Sequence, residues 1–377
     1  VISEELREFR AVIRRWADAE VAPYAADVDA NARFPAEAWK SFVDTGWVGL
    51  QYPEQYGGEG ADATACAILI EEIARVCAAS SLTALISKLA MTPVIQHGSE
   101  ALKDKYLPAV ASGALQASYC LSEPEAGSDI ASMSTTARRD GDHYVLNGTK
   151  CWITNAGVSE LYTIFAKTDP AAGHRGISCF VVERDHGIEF GKFEHKLGMR
   201  GSPTAEVILH DVAVPAENLV GQEGEGFYIA LKTLDRSRPV IGAQAVGIAT
   251  GALDFSAKYL RERKQFGTEL AEFQGLRFMV ADMAMRVEAA RQLVYQATDL
   301  IDAGDPHKEL NMIGSMAKCF ASDAAMSVTT DAVQLLGGYG YTTDFPVERY
   351  LRDAKLTQIY EGTNQIQRIV IARNILG

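Results

Sequence analysis

Three stretches of this chain carry residue types suited to chemistry. Cys120-Leu121-Ser122-Glu123-Pro124-Glu125-Ala126-Gly127-Ser128-Asp129 is dense in polar and turn-forming residues. Ser122 and Ser128 each supply a hydroxyl, and Gly127 lets the backbone come close to a ligand. Taken alone, this segment reads as a capped loop at a domain junction. Gly221 to Gly226 has the order G-x-x-G-x-G rather than the dinucleotide order G-x-G-x-x-G. No βαβ unit opens there, so it reads as a mobile connection into the next helix. Gly337-Gly338-Tyr339-Gly340-Tyr341 has no strand before it and reads as a helix stop. Cys66, Cys77, Cys120, Cys151, Cys179 and Cys319 form no C-x-x-C pair, and the histidines include no H-E-x-x-H. Reduced thiols are expected, and a dedicated metal site is not.

The elements that must position these stretches fall into three runs. The first, about residues 1–115, is helical: Leu6, Phe9, Val12, Ile13 and Trp16 recur at helical spacing, and Ile68, Glu71, Glu72 and Arg75 follow a second helical pattern. Tyr52 to Gly58 is turn chemistry, and Pro93 and Pro108 are expected to punctuate the helical stretch beyond Ala79. From 116 to 225 the texture is that of short strands. Tyr144-Val145-Leu146 and Cys151-Trp152-Ile153-Thr154 flank Asn147-Gly148, which predicts a hairpin turn. Leu161 to Lys167, Gly176 to Glu183 and Ala205 to Val214 are further strands, giving a small antiparallel β domain. From 226 to 377 helical stripes return, one from Leu276 to Ala297 and one from Ile313 to Leu335, separated by a break at 303–308. Long helices with short loops predict a bundle of four-helix type. The predicted class is therefore α+β with domains at 1–115, 116–225 and 226–377, and the absence of βαβ alternation argues against a doubly wound nucleotide fold.

Composition excludes several functions. A length of 377 residues suits two or three domains at about 150 residues each. Apolar residues at 47% and charged residues at 23% exclude a disordered chain. The formal net charge of -13 argues against nucleic acid or an anionic membrane as partner. The apolar runs read as falling short of the ~20 residues a membrane helix needs. No basic segment precedes an apolar one at the N-terminus, and the start at Val1 rather than Met fits an upstream segment removed or not shown.

Five motifs, in order along essentially the whole chain, resemble those of the acyl-CoA dehydrogenase family. They are Cys120 to Ser132; Lys150-Cys151-Trp152-Ile153-Thr154-Asn155; Arg261 to Gly267; Gln334 to Asp344 with Arg349 and Asp353; and Tyr360-Glu361-Gly362-Thr363. The resemblance implies an FAD-dependent enzyme that converts an acyl-CoA to a trans-2-enoyl-CoA and passes electrons to an electron-transfer flavoprotein. It makes Glu361 the catalytic base; a simpler reading, compatible with the first, is a first-turn acid next to a capping box of Asn364 and Gln367. Removing a thioester α-proton needs a positioned base and a held carbonyl oxygen, and a carboxylate dried by the acyl chain is a stronger base. Gly362 and the Glu361 N–H would meet the thioester, while Asp235, Arg238 and Ser128 would contact substrate. The simpler reading of Asp235 and Arg238 is a surface charge pair near a Pro-marked helix start.

The same resemblance assigns FAD contacts to Tyr119, Leu121, Ser122, Gly127 and Ser128, to Trp152, Ile153 and Thr154 beside the flavin ring, and to Thr363 and Gln365. Arg263, Gln265, Phe266, Phe273 and Gln274 would reach the FAD of a neighbouring subunit, with Gln334, Leu335, Gly337 and Gly338 near its adenosine part. The simpler reading of Arg261 to Lys264 is a solvated charge run, and a strand tryptophan such as Trp152 is more often core. Sharing the cofactor implies a homotetramer built as a dimer of dimers. The motif at 196–204 and the Tyr-Glu-Gly-Thr segment point to short-to-medium straight-chain acyl-CoA, with 2-methyl-branched short chains next. Alternatives are an acyl-CoA oxidase, which is typically longer, and a DNA-associated branch of the fold, which needs a basic surface. Arg outnumbers Lys 22 to 14, which suggests a GC-rich bacterial source and the cytoplasm, with the mitochondrial matrix as the alternative.

Overall fold

A computed structural model describes residues 2–305 and 308–377; Pro306, the proline of the expected break, and His307 lie outside them. The chain begins with six helices: α1 (Glu4–Glu20), α2 (Ala25–Ala30), α3 (Ala36–Asp44), α4 (Ala63–Val76), α5 (Ala78–His97) and α6 (Glu100–Ala111). Three of these helices open on a side-chain cap: Ser3, Asp62 and Ser99 each accept from a backbone N–H three residues on. Of the first stripe, Ile13 is buried but Val12 is 44% exposed, so the buried face runs through Ile13 and Ala17. Pro93 and Pro108 lie inside α5 and α6 rather than between helices. Packing around a buried helix outweighs the missing hydrogen bond of one proline.

Eight strands follow: β1 (Ala117–Cys120), β2 (Thr136–Asp140), β3 (His143–Thr154), β4 (Leu161–Lys167), β5 (Ile177–Glu183), β6 (Glu189–Phe193), β7 (Thr204–Pro215) and β8 (Leu219–Val220). Their order is β6-β7-β3-β2-β4-β5-β8, with β1 added to β4 in parallel and most other pairs antiparallel. The predicted hairpin at Asn147-Gly148 is absent; both residues lie within the single strand β3, at a shift of register against β7. Gly148 has φ 149°, and a Cβ there would meet Thr135 Oγ1 at 2.4 Å. Asn147 and Asp211 exchange hydrogen bonds across this bulge, at 2.9 and 3.0 Å. The turn that does reverse the chain is Gly141-Asp142, between β2 and β3.

Helices then resume with α7 (Gly226–Glu262), a short ribbon of β9 (Lys264–Gln265) and β10 (Thr268–Glu269), α8 (Gln274–Asp302), α9 (Leu310–Leu336), α10 (Val347–Thr357) and α11 (Asn364–Leu376). The two predicted stripes supply the bundle core through Met283, Val287, Ala290 and Val294 on α8 and Ala317, Ala324 and Val328 on α9. Phe320, also on the second stripe, is 43% exposed. α9 ends where Gly337 turns to φ 60°. Among the described residues two helices, α5 and α7, are long and apolar enough to cross a membrane, with mean hydropathy of 1.4 and 1.3 over their windows. This corrects the expectation that no run reaches that length. Of those windows 78% and 72% is buried inside the fold, because both helices touch protein on several sides: α5 packs on α4, α7 and β1.

Candidate active site

Glu361 stands in the link between α10 and α11, and the backbone there is unusual. Glu361 has φ 51° and Gly362 φ 91°, so two successive residues are left-handed. Glycine adopts this freely, whereas a residue with a Cβ pays about 1–2 kcal/mol. Buried polar side chains hold the link in place. Lys318 of α9 donates to the Gly362 carbonyl at 2.8 Å and to Asn364 Oδ1 at 2.9 Å. Gln367 Nε2 donates to the same carbonyl at 2.9 Å. The expected Asn364–Gln367 capping box does not form. Thr363 is the N-cap, accepting from the Ile366 N–H, and Asn364 is turned inward to Ser322 and Asp323 at 2.9 and 2.8 Å.

The Ser237 hydroxyl of α7 donates to Glu361 Oε2. Burial pushes the Glu361 carboxyl up to about 7, although Ser237, Lys318 and Arg238 each pull it back. Burial likewise pushes Lys318 down to about 8, against the attraction of Glu361. A carboxyl poised near neutrality is suited to accept and release a proton at physiological pH. Tyr360 hydrogen-bonds Gln244, and both Tyr360 and Tyr119 pack on an apolar cluster of Ile70, Leu85, Ile86, Leu89 and Ile241. The Tyr119 hydroxyl is buried without a partner. Asp235 and Arg238 are not a surface pair, and Pro239 beside them lies within α7, not at its start. Their side chains, 11% and 5% exposed, meet at 2.8 Å, and Asn311 joins them at 2.7 Å.

A buried ion pair ties the segment after β1 to β3. Lys150 Nζ meets Glu123 Oε1 at 2.8 Å and the Leu121 carbonyl at 3.2 Å, both side chains being almost wholly buried. Burial works against the Glu123 charge, but Lys150 and the Thr135 and Ser134 N–H groups hold its carboxyl down to about 2. The Cys151 N–H donates to the Ser122 carbonyl at 3.0 Å. Just beyond, the pairing of β3 with β7 slips between Lys150 and Ile153. Trp152 sits in that slip with φ 61° and is 63% exposed, so it is not a core tryptophan. Thr154 and Ser122 are half-buried, and Gly127 and Ser128 are exposed. Leu121 and Ile153 are buried in the core, which leaves their backbone groups as the ones able to meet a ligand.

The remaining predicted residues form a second cluster. Arg263, Gln265, Gln334, Leu335, Gly337 and Gly338 line an open groove of about 500 Å³. The Arg263 guanidinium lies over the Tyr339 ring, 5.4 Å from its centre. Phe266 is 96% exposed and packs edge-on against Phe273, with Gln274 exposed beside them. This groove is reached from the C-terminal end of α7, whereas Ser237 and Arg238 lie near its start. The 24 steps of helix from Arg238 to Glu262 span about 36 Å, so one chain does not bring the two clusters together. Thr363 and Gln365, at the start of α11, belong with the Glu361 cluster.

Ser237 and Lys318 were given no role from sequence, Gln367 was expected in a capping box rather than on the Gly362 carbonyl, and the pairing of Lys150 with Glu123 was missed too. One signal was available: Lys318 interrupts an otherwise apolar stripe on α9. Among the described residues, no cluster of His, Cys, Asp and Glu could hold a metal, and all six cysteines are buried and unpaired.

Comparison with known proteins gives three family matches that tile the chain. They are the acyl-CoA dehydrogenase N-terminal domain over residues 3–114, the middle domain over 118–212 and the C-terminal domain over 224–376. A Mycobacterium tuberculosis protein named "Probable acyl-CoA dehydrogenase FadE25" is 55% identical over 376 residues, covering 100% of this chain and 96% of that protein. The solved butyryl-CoA dehydrogenase of Megasphaera elsdenii is 39% identical with a TM-score of 0.96, covering 100% of this chain and 99% of its own. A chain from a structure described as the electron transferring flavoprotein of Acidaminococcus fermentans is 45% identical with a TM-score of 0.96, with coverage of 100% and 99%.

Proposed function

The chain belongs to the acyl-CoA dehydrogenase family and is an enzyme of that class, and we propose that it desaturates a short-to-medium straight-chain acyl-CoA at Cα–Cβ, with Glu361 as the base. The observation that carries this is the Glu361 carboxyl, enclosed, held by Ser237 and raised to about 7. It would take the α-proton of the thioester. The Glu361 N–H has no hydrogen-bond partner among the described residues, so it is free to hold the thioester carbonyl. Ser128 and Gly362, with the buried pair Asp235–Arg238, would position the rest of the substrate.

The residues present fit FAD. The exposed Trp152 indole and the open space at Gly127 leave a face that no described residue covers, and the buried Tyr119 hydroxyl is left without a partner among the described residues. Tyr119, Leu121, Ser122, Gly127, Ser128, Trp152, Ile153, Thr154, Thr363 and Gln365 would hold the ring end. When bound, FAD supplies the acceptor for the β-hydride. Arg263, Gln265, Phe266, Phe273, Gln274, Gln334, Leu335, Gly337 and Gly338 stand about 36 Å along α7 from that site, which supports their serving the FAD of a second subunit within a homotetramer. Three domains at 1–115, 116–225 and 226–377, an electron-transfer flavoprotein as acceptor and a bacterial cytoplasmic setting complete the reading. The match to a chain from a structure of that flavoprotein supports the acceptor, and the bacterial relative supports the setting.

The test is kcat/KM across C4 to C16 acyl-CoA with a ferrocenium or flavoprotein acceptor. Glu361→Gln is expected to keep the flavin absorbance and ligand binding while losing at least about 10²-fold in turnover. Near-normal turnover in that variant sinks the assignment of the base.

A further inference from the structure

A cavity of about 140 Å³ is lined in part by Ser237, the residue that holds Glu361. A 150 Å³ protein cavity takes a benzene ring, so this one has room for about six non-hydrogen atoms. Its floor is apolar, formed by Leu85, Leu89, Val240 and Ile301. Its wall is not. Lys88 and Arg236 both line it. Among the described residues neither makes an ion pair: Lys88 feels the buried Cys66 thiol and, opposing it, the Arg236 cation, while Arg236 has Asp302 to offset it. Asp302 also borders the cavity, but its carboxylate is engaged with the first turn of α4, accepting the Ala63 N–H at 2.7 Å. The Lys88 ammonium donates to the Gln51 carbonyl at 2.6 Å and lies 5.0 Å from the centre of the Tyr52 ring. One of its three donors is thus used, and no carboxylate among the described residues takes the others. Burial, opposed by Cys66 and aided by Arg236, pushes Lys88 down to about 8, as expected of a cation short of a counter-charge.

We propose that this cavity receives the far end of the acyl chain, and that Lys88 and Arg236 select chains ending in an anionic group, a carboxylate, over chains ending in a methyl group. The inference rests on the reading of Glu361 as the base of an acyl-CoA dehydrogenase. A half-buried ammonium, Lys88, with an exposed guanidinium, Arg236, beside it on the lining gains from an anion that brings its own charge, whereas a methyl end leaves Lys88 unmatched. The volume has room for about six non-hydrogen atoms, so chains of five and six carbons are the ones compared.

The experiment uses the FAD-loaded enzyme with a dye acceptor. Four substrates are compared: pentanoyl-CoA, hexanoyl-CoA and the mono-CoA thioesters of the five- and six-carbon straight-chain dicarboxylic acids. At equal carbon number, kcat/KM is expected to favour the carboxylate-ended chain by about ten-fold or more, as a charge-assisted hydrogen bond allows. Lys88→Met and Arg236→Met should each narrow that ratio. A wild-type preference for the methyl-ended chains overturns the proposal whether or not the variants fold, and leaves the dehydrogenase reading standing. A carboxylate preference that both variants retain overturns the roles of Lys88 and Arg236. Turnover of none of the four, nor of any chain in the C4 to C16 series, overturns the functional reading itself.

Discussion

Replacing Ser237 by Ala removes the hydroxyl that donates to Glu361 Oε2 and that also lies 3.2 Å from the Leu234 carbonyl of its own helix. A hydrogen bond to a charged group contributes about 1.5–3 kcal/mol, which is about one to two pKa units. The Glu361 carboxyl, at about 7 in the wild type, should therefore rise to about 8–9. A base works only when deprotonated, so the rate climbs with pH through its pKa, and the climb should move up in the variant. At pH 7 the deprotonated fraction falls from about a half to between about a tenth and a hundredth. The expected loss in kcat/KM is about 5- to 50-fold at pH 7, nearly recovered by pH 10. The assay is a pH series from 5.5 to 10 with one acyl-CoA and a dye acceptor, the flavin absorbance confirming an intact holoenzyme at each point. A uniform loss at every pH, with the limb still near 7, would refute the argument, because it would mean that Ser237 shapes the pocket without acting on the proton.

Two further outcomes are expected from the buried pair and the groove. Lys150→Met leaves Glu123 buried with its cation gone; this should destabilise the fold by about 3–5 kcal/mol in urea melts and loosen flavin retention, since the pair joins the Leu121–Glu123 segment to β3. Unchanged midpoint and slope would show that the backbone donors alone satisfy Glu123. Arg263→Ala should weaken FAD retention and subunit assembly together, read by flavin content and sedimentation; full retention of both would return Arg261 to Lys264 to a solvated charge run.

How far the sequence reached depended on whether the signal was local. Leu161 to Lys167 became β4 residue for residue because a short run of apolar β-formers in a sheet covered on both faces needs no distant information. The α8 stripe and the Gly337 stop were legible for the same reason. Asn147-Gly148 misled because its turn preference is real but a bulge uses the same conformational freedom, and only the partner strand β7 decides between them. Pro93, Pro108 and Pro239 misled because helix propensity weighs less than burial in α5, α6 and α7. At the site, residues within one motif were readable through the resemblance. Ser237 and Lys318 were not, since each acts on Glu361 from more than 40 positions away in the chain and becomes a partner only when α7, α9 and α11 pack.

Glu361 combines two liabilities: a left-handed backbone that favours glycine, and an enclosed carboxyl that favours its proton. Its folded-state pKa lies above the unfolded value, so its contribution to folding is most favourable below about pH 4.5 and is lost as pH rises through about 7. In the range where the base is active, the fold is therefore at its least stable with respect to this one residue. A library of this protein screened for heat resistance alone, with no demand for turnover, should drift away from glutamate at position 361, with glycine and asparagine as the natural endpoints. Thermal hardening and catalytic fitness pull in opposite directions here, and a stabilising campaign has to hold this position fixed and seek its gains elsewhere.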